Sequence, residues 1–214
     1  MAIPVIESYP MPAEHELPEN IARWTIDPAR AVLLVHDMQN FFLSPFRHTE
    51  EPMTDLVANV SLLRAAFTEH GAQVAYTAQP GGMSAQDRGL LMDFWGPGMS
   101  AEPEHREILP SLAPAEGDLV LTKWRPSAFA RTDLLARMRA EGRDQLVICG
   151  VYAHVGILMT AHEGFSNDIQ TFVVADAVAD FTAEHHRMAL TYASSRCSVT
   201  ISTRAALAAL TGGE

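Results

Sequence analysis

Six short apolar runs recur along this chain, and segments with helical spacing separate them. The runs are Ala31–His36 (AVLLVH), Gln73–Thr77 (QVAYT), Asp118–Thr122 (DLVLT), Gln145–Cys149 (QLVIC), Thr171–Ala175 (TFVVA) and Ser198–Ser202 (SVTIS). Each has the length of a strand and is too short for a stable helix. Between the first two, Leu56, Val60, Leu63 and Phe67 repeat on one helical face, and Gly71 supplies a stop. Thr132–Glu141 reads as a helix with Thr132 as N-cap and Gly142 as stop. Val155–Phe165 and Ala183–Ser195 also read as helices, and a short helix follows the last run. Strands that alternate with helices can cover a sheet on both faces only if the strands run mostly parallel. The pattern predicts an α/β protein: a three-layer αβα fold with a mostly parallel six-stranded sheet. With 214 residues, 48% of them hydrophobic, the chain can bury one core as a single domain spanning 1–214.

Charge and cysteine usage narrow the function. Lys and Arg total 15 against 26 Asp and Glu, a formal charge of −11. Such a field repels nucleic acid and anionic membranes, so neither is expected as a partner. An anionic substrate would need local cations to overcome it. Cys149 and Cys197 both sit in apolar surroundings and read as buried free thiols. The N-terminal MAIPVIESYP lacks a signal-peptide pattern, and no apolar stretch approaches the roughly 20 residues of a membrane span. A cytoplasmic location is the expectation.

In an open parallel sheet, ligands bind beyond the carboxyl ends of the strands. The first strand runs into Asp37, the second into Gln79, the third into Lys123, the fourth into Gly150-Val151-Tyr152, and the fifth into Asp176. Asp37 with Lys123 suggests an acid–base pair, although a carboxylate beside a lysine can also be a structural ion pair. Asp176 reads as a cap or turn residue. The stretch from Gln79 to Pro103, rich in Gly, Pro and Met, reads as a functional loop or lid. Its Trp95, together with Phe42, could wall a small ring. His185 and His186 are adjacent and point apart on a helix, and His154 and His162 lie two turns apart. No HExxH, CxxC, GxSxG or phosphate-loop pattern occurs, so neither a metal nor a cofactor is expected.

Several long motifs carry a resemblance. They are VLLVHDMQNFF (32–42), YTAQP (76–80), DRGLLMDFWGPG (87–98), LTKWRPSAF (121–129), GRDQLVICGVYAHVG (142–156), VADAVADF (174–181) and HHRMAL (185–190). In this order they resemble the isochorismatase family over essentially the whole chain. The likeness covers both the isochorismatase domain of siderophore synthesis and the phenazine-pathway enzyme acting on 2-amino-2-deoxyisochorismate. The Gly156-Ile157-Leu158 run looks closer to the second. The resemblance implies an isochorismatase-like fold, a homodimer, a small dicarboxylate substrate and no cofactor.

It also implies residue roles. Asp37 would be the general acid that protonates a vinyl ether, with Lys123 beside it. Burial favours a protonated Asp37 and Lys123 opposes this, and the sequence leaves the balance open. Arg88 would clamp a substrate carboxylate. Gln79, Tyr152 and the Gly156 N–H would bind the remainder, and Phe42 and Trp95 would exclude water. Cysteine amidohydrolases of the wider superfamily place their nucleophile where this chain has Gly156, so a thiol route is not expected. Pro126 departs from a Tyr common after the KWR motif. Two alternatives stand beside this reading: a cysteine amidohydrolase of the same fold, and a non-catalytic docking protein of an assembly line.

Overall fold

The computed structural model describes residues 3–212. Its strands are β1 (Ala31–His36), β2 (Gln73–Ala78), β3 (Leu119–Thr122), β4 (Gln145–Val151), β5 (Gln170–Ala179) and β6 (Val199–Ile201). Its helices are α1 (Asn40–Leu43), α2 (Met53–Glu69), α3 (Ala85–Arg88), α4 (Leu91–Trp95), α5 (Pro103–Arg106), α6 (Leu134–Ala140), α7 (Leu158–Ser166), α8 (Ala183–Arg196) and α9 (Thr203–Leu210). The six strands form one sheet in the order β3-β2-β1-β4-β5-β6, and every pairing between them is parallel.

Alternation along β1 builds the two faces. Leu33 and Val35 point to one side and pack with Leu56, Val60, Leu63 and Phe67 of α2. Val32 and Leu34 point to the other, against Leu134 and Met138 of α6, Leu158 and Ala161 of α7, and Leu190 and Ala193 of α8. Each of these large side chains, once sealed from water, contributes about 1.5–3 kcal/mol to the core. The helical spacing of α2 thus becomes a buried stripe, and Gly71 ends the segment at φ 72°.

Several boundaries differ from those the pattern suggested, for local reasons. β5 runs past Asp176 to Ala179. From inside the strand, Asp176 accepts the N–H and the hydroxyl of Thr203, each at 2.7 Å, and so caps α9. The cap reading of Asp176 therefore holds, but for a helix far away in sequence. α6 starts at Leu134, later than expected, because the Thr132 hydroxyl donates back to the Ala128 carbonyl at 2.6 Å and Asp133 takes the N-cap position. The expected Val155–Phe165 helix opens as a π-type turn, Ala153–Ile157, before α7. The segment 79–103 is not structureless: it contains the single-turn helices α3 and α4, the first ended by Gly89 and the second by Gly96, both at positive φ.

Candidate active site

The strand order reverses beside β1, where the chain moves to β2 on one side and to β4 on the other. A cavity of about 470 Å³ opens there, at the carboxyl ends of the strands. Asp37 stands at its floor. Its backbone adopts φ 51°, a left-handed geometry that Asp tolerates better than most residues, and this ends β1 and turns the carboxyl group inward. Oδ2 lies 2.9 Å from Lys123 Nζ. Oδ1 accepts the Thr77 hydroxyl at 2.6 Å, and the Gln79 amide approaches Oδ2 at 3.4 Å. Lys123, also buried, donates to the Arg125 carbonyl at 3.0 Å and the Pro126 carbonyl at 3.4 Å.

Burial of Asp37 pushes its carboxyl towards the protonated form. The Lys123 ammonium and the hydrogen bonds from Thr77 and Lys123 outweigh that push and bring the pKa below the ordinary carboxylate value. In the ligand-free site Asp37 is therefore ionised.

His36 lies under this pair. Burial, helped by Lys123, lowers its pKa to about 4 against the opposing charge of Asp37, so the ring is neutral at pH 7. Its Nδ1 is 2.9 Å from the Val151 carbonyl, an acceptor only, so Nδ1 carries the proton in that bond. The ring lies flush on Gly156. A Cβ built at position 156 would come within 2.3 Å of His36 Cε1 and 2.9 Å of Nε2. Residue 156 can hold no side chain while His36 keeps this place.

The lid supplies the upper wall. Arg88 is buried, and its Nε donates to the Gly96 carbonyl at 2.8 Å. Its guanidinium rests on Gly98, where a Cβ would sit 2.7 Å from Cζ. Burial and the nearby Arg125 lower its pKa, which leaves it cationic at neutral pH. Trp95 meets Phe181 edge to face at 6.1 Å, and Phe181 packs on Tyr152 at 4.5 Å. The Tyr152 hydroxyl donates to the Phe42 carbonyl. This is a departure from the sequence-based expectation: the Tyr152 ring faces the cavity, but its proton is already committed.

All eight positions singled out from the sequence, Asp37, Phe42, Gln79, Arg88, Trp95, Lys123, Tyr152 and Gly156, line this one cavity. Among the other lining residues, His36, Arg125 and Phe181 bear on the site and escaped sequence reasoning. His36 and Phe181 flank acidic residues in the quoted motifs, yet nothing in a single sequence distinguishes them from core packing. Arg125 stood in the quoted KWR motif, and its proximity to Arg88 is visible only in three dimensions. No cysteine lines the cavity. Cys149 is buried in β4 and burial pushes its thiol up, while Cys197 is raised to about 11, so both stay protonated at neutral pH.

Outside the cavity, His154, Asp180 and His185 form a cluster whose ligand atoms fall within 4.8 Å of one another. Asp180 spends its oxygens on His154 and on the N–H groups of His154 and Phe181. The rings of His154 and His185 stack at 4.4 Å, which places their nitrogen lone pairs in nearly parallel planes.

The sequence profile described as Isochorismatase domain matches residues 31–205. The chain belongs to the isochorismatase family. Among curated relatives, "Phenazine biosynthesis protein PhzD1" of Pseudomonas aeruginosa is 59% identical over 201 residues, covering 94% of this chain and 96% of that one. The "Isochorismatase" of Bacillus subtilis is 54% identical over 203 residues, covering 95% of this chain and 65% of that protein. Among solved structures, a cysteine hydrolase from Pseudomonas syringae pv. phaseolicola aligns with a TM-score of 0.82 at 23% identity, over 92% of this chain and 99% of that one. That last likeness is one of fold. As a member of the isochorismatase family the protein is a hydrolase enzyme. No helix among the described residues is long and apolar enough to cross a membrane.

Proposed function

We propose that this enzyme hydrolyses the enol-pyruvyl ether of isochorismate or 2-amino-2-deoxyisochorismate. The products are pyruvate and a dihydro-hydroxybenzoate or dihydro-3-hydroxyanthranilate, within biosynthesis of the phenazine or siderophore type. One observation carries this reading. The buried Asp37–Lys123 pair stands in a cavity that has no thiol and whose position 156 is sterically closed to one. Such a site can move a proton but cannot form a thioester. The relatives named for phenazine biosynthesis and as an isochorismatase support the substrate class.

In this reading Asp37 delivers a proton to the terminal CH2 carbon of the vinyl ether. The oxocarbenium ion takes up water, whose released proton returns to the Asp37 carboxylate. The hemiketal then collapses: its hydroxyl proton passes to the ring oxygen, the C–O bond breaks, and pyruvate leaves. Since Asp37 is ionised in the free site, the productive complex must gain a proton. The substrate brings two carboxylates into a dry cavity, and Lys123 turns towards a carboxylate or the ether oxygen. Both changes raise the proton affinity of Asp37. Arg88 clamps one carboxylate with its terminal nitrogens. Gln79 and the Gly156 N–H orient the rest, and Phe42, Trp95 and the Tyr152 ring keep out bulk water.

The test is incubation of the pure enzyme with each ether and enzymatic detection of pyruvate, with kcat/KM compared side by side. Pyruvate release from neither ether sinks the proposal. A homodimer belongs to the same reading, and sedimentation equilibrium checks it.

A further inference from the structure

Gln39 lies between the acid and the lid without touching the cavity. It is wholly buried, and although it occupies the N-cap position of α1 its side chain makes no cap bond. Its amide is used elsewhere. Oε1 accepts the Gln79 N–H at 2.8 Å, and Nε2 donates to the Gln79 carbonyl at 2.9 Å and the Arg106 carbonyl at 2.7 Å. One side chain thus grips the outgoing limb of the lid through both backbone groups of Gln79, and the returning limb at Arg106. Between those two points lie Arg88, Leu91, Trp95, Gly98 and Met99, all of which line the cavity.

The two limbs are not held equally. The returning limb has further anchors: the Asn40 N–H donates to the Glu107 carbonyl, the Leu109 N–H to the Met38 carbonyl, and the Asn40 side chain to the Glu104 carbonyl, each at 2.9 Å. The outgoing limb leaves β2 at Ala78 and passes directly into Gly81 and Gly82, both at positive φ. At the glycines the Gly82 N–H donates to the Met99 carbonyl at 2.8 Å, within the lid itself, and the Gln79 side chain reaches Asp37 Oδ2 only at 3.4 Å; the two short bonds on the Gln79 backbone come from the Gln39 amide.

We propose that Gln39 is a positioning residue of the reaction. Its amide closes the lid loop on itself at the base, so that Arg88 and Trp95 stand over the Asp37 carboxylate before substrate arrives. Asp37 and Gln39 belong to the same turn after β1, so the acid and the lid are registered to one another by two residues of backbone. Pre-organisation of this kind lowers the cost of ordering the binding loop on association. The proposal rests on reading the cavity as the substrate site.

The experiment pairs Gln39→Met, which keeps the volume and removes all three bonds, with Gln39→Glu, which keeps the acceptor for the Gln79 N–H. Two readouts are taken on the ligand-free and turning-over enzyme: tryptic cleavage at Arg88–Gly89, followed by mass, and KM with kcat for the ether. In the wild type the buried Arg88 side chain shields that bond. Gln39→Met is expected to cut at least about tenfold faster there and to raise KM on the order of tenfold, with kcat changed much less, while unfolding stays cooperative. Gln39→Glu should fall between. Wild-type cleavage and wild-type KM in a folded variant overturn the proposal, and so does a lowered Tm with KM unmoved. Should Gln39→Met fail to fold, Gln39→Glu decides by the same two readouts. Absence of pyruvate release by the wild type would strike the proposed function and leave the cleavage result standing, so the two failures are distinguishable.

Discussion

At the residue scale, the proposed chemistry and part of the stability both rest on the buried Asp37–Lys123 pair. Asp37→Asn keeps the shape but removes the acidic proton and leaves the Lys123 ammonium buried without its counter-charge. Pyruvate release should fall by about 10²–10⁴-fold, and stability by on the order of 3 kcal/mol, read by thermal unfolding. Near-normal turnover would remove Asp37 from the acid role. The pH dependence has a definite sign. A carboxyl held below its ordinary value is ionised in the free enzyme, so the productive complex needs one more proton than the separate reactants. Over the neutral and alkaline range kcat/KM should fall as pH rises, by up to about tenfold per unit. A flat profile there would show that the proton is not acquired with the substrate. The same depressed pKa stabilises the fold above the carboxylate range, and that contribution is lost as acid protonates Asp37. His36 makes a second prediction at this scale. Gly156→Ala forces a methyl group to within 2.3 Å of the His36 ring. It should cost about 1–3 kcal/mol by overpacking and lower kcat, since His36 borders Asp37. Replacing His36 by Ala in the same chain should recover stability lost to Gly156→Ala. Failure of that recovery would mean that the two side chains do not compete for one space.

Elements work here by lending residues to one another across the sheet. Asp176 sits inside β5 yet caps α9, and Ser202 accepts the Ala205 N–H of the same helix at 3.1 Å. Asp176→Ala should remove a cap worth about 0.5–2 kcal/mol, shifting Tm by about 2–4 °C per kcal/mol. Turnover should stay at the wild-type level, because Asp176 does not line the cavity. A drop in kcat without loss of stability would give it a functional part. The lid is the other element-scale feature. Its glycines at 89, 96 and 98 all hold positive φ. They let single turns of helix present Arg88 and Trp95 to one side, which explains why a stretch that reads as irregular is built of ordered pieces.

For the whole molecule, the decisive fact is that the thiols stay within the packed structure while neither lines the cavity. Cys149 and Cys197 are both buried, and burial raises both pKa values. Alkylating reagent added to the native enzyme should leave pyruvate release essentially unchanged, and Cys149→Ala with Cys197→Ala should remain active, with any loss tracking stability. Complete inactivation of a folded enzyme by alkylation would revive a sulfur route. The net charge of −11 also acts at this scale. In the proposed function, attraction of an anionic substrate falls to the cations Lys123, Arg88 and Arg125 among the described lining residues, which must prevail over the acidic surface.

The strand periods, the parallel architecture and the strand-end residues Asp37, Gln79 and Lys123 were legible in the chain itself. Apolar runs of strand length between helical stripes allow few other layer arrangements, and strands in one parallel sheet bring their ends to one rim. The motifs also marked Arg88, Trp95, Tyr152 and Gly156. What only tertiary structure decided is how these residues bear on one another. The ionisation of Asp37 is set by a lysine 86 positions away at 2.9 Å. The emptiness of Gly156 is enforced by the His36 ring, and the Tyr152 hydroxyl is spent on Phe42. Gln39 joins both ends of the lid. Each is a contact between distant parts of the chain, where charge, volume and hydrogen-bond capacity are settled by neighbours in space, and residue order along the chain carries no record of those distances.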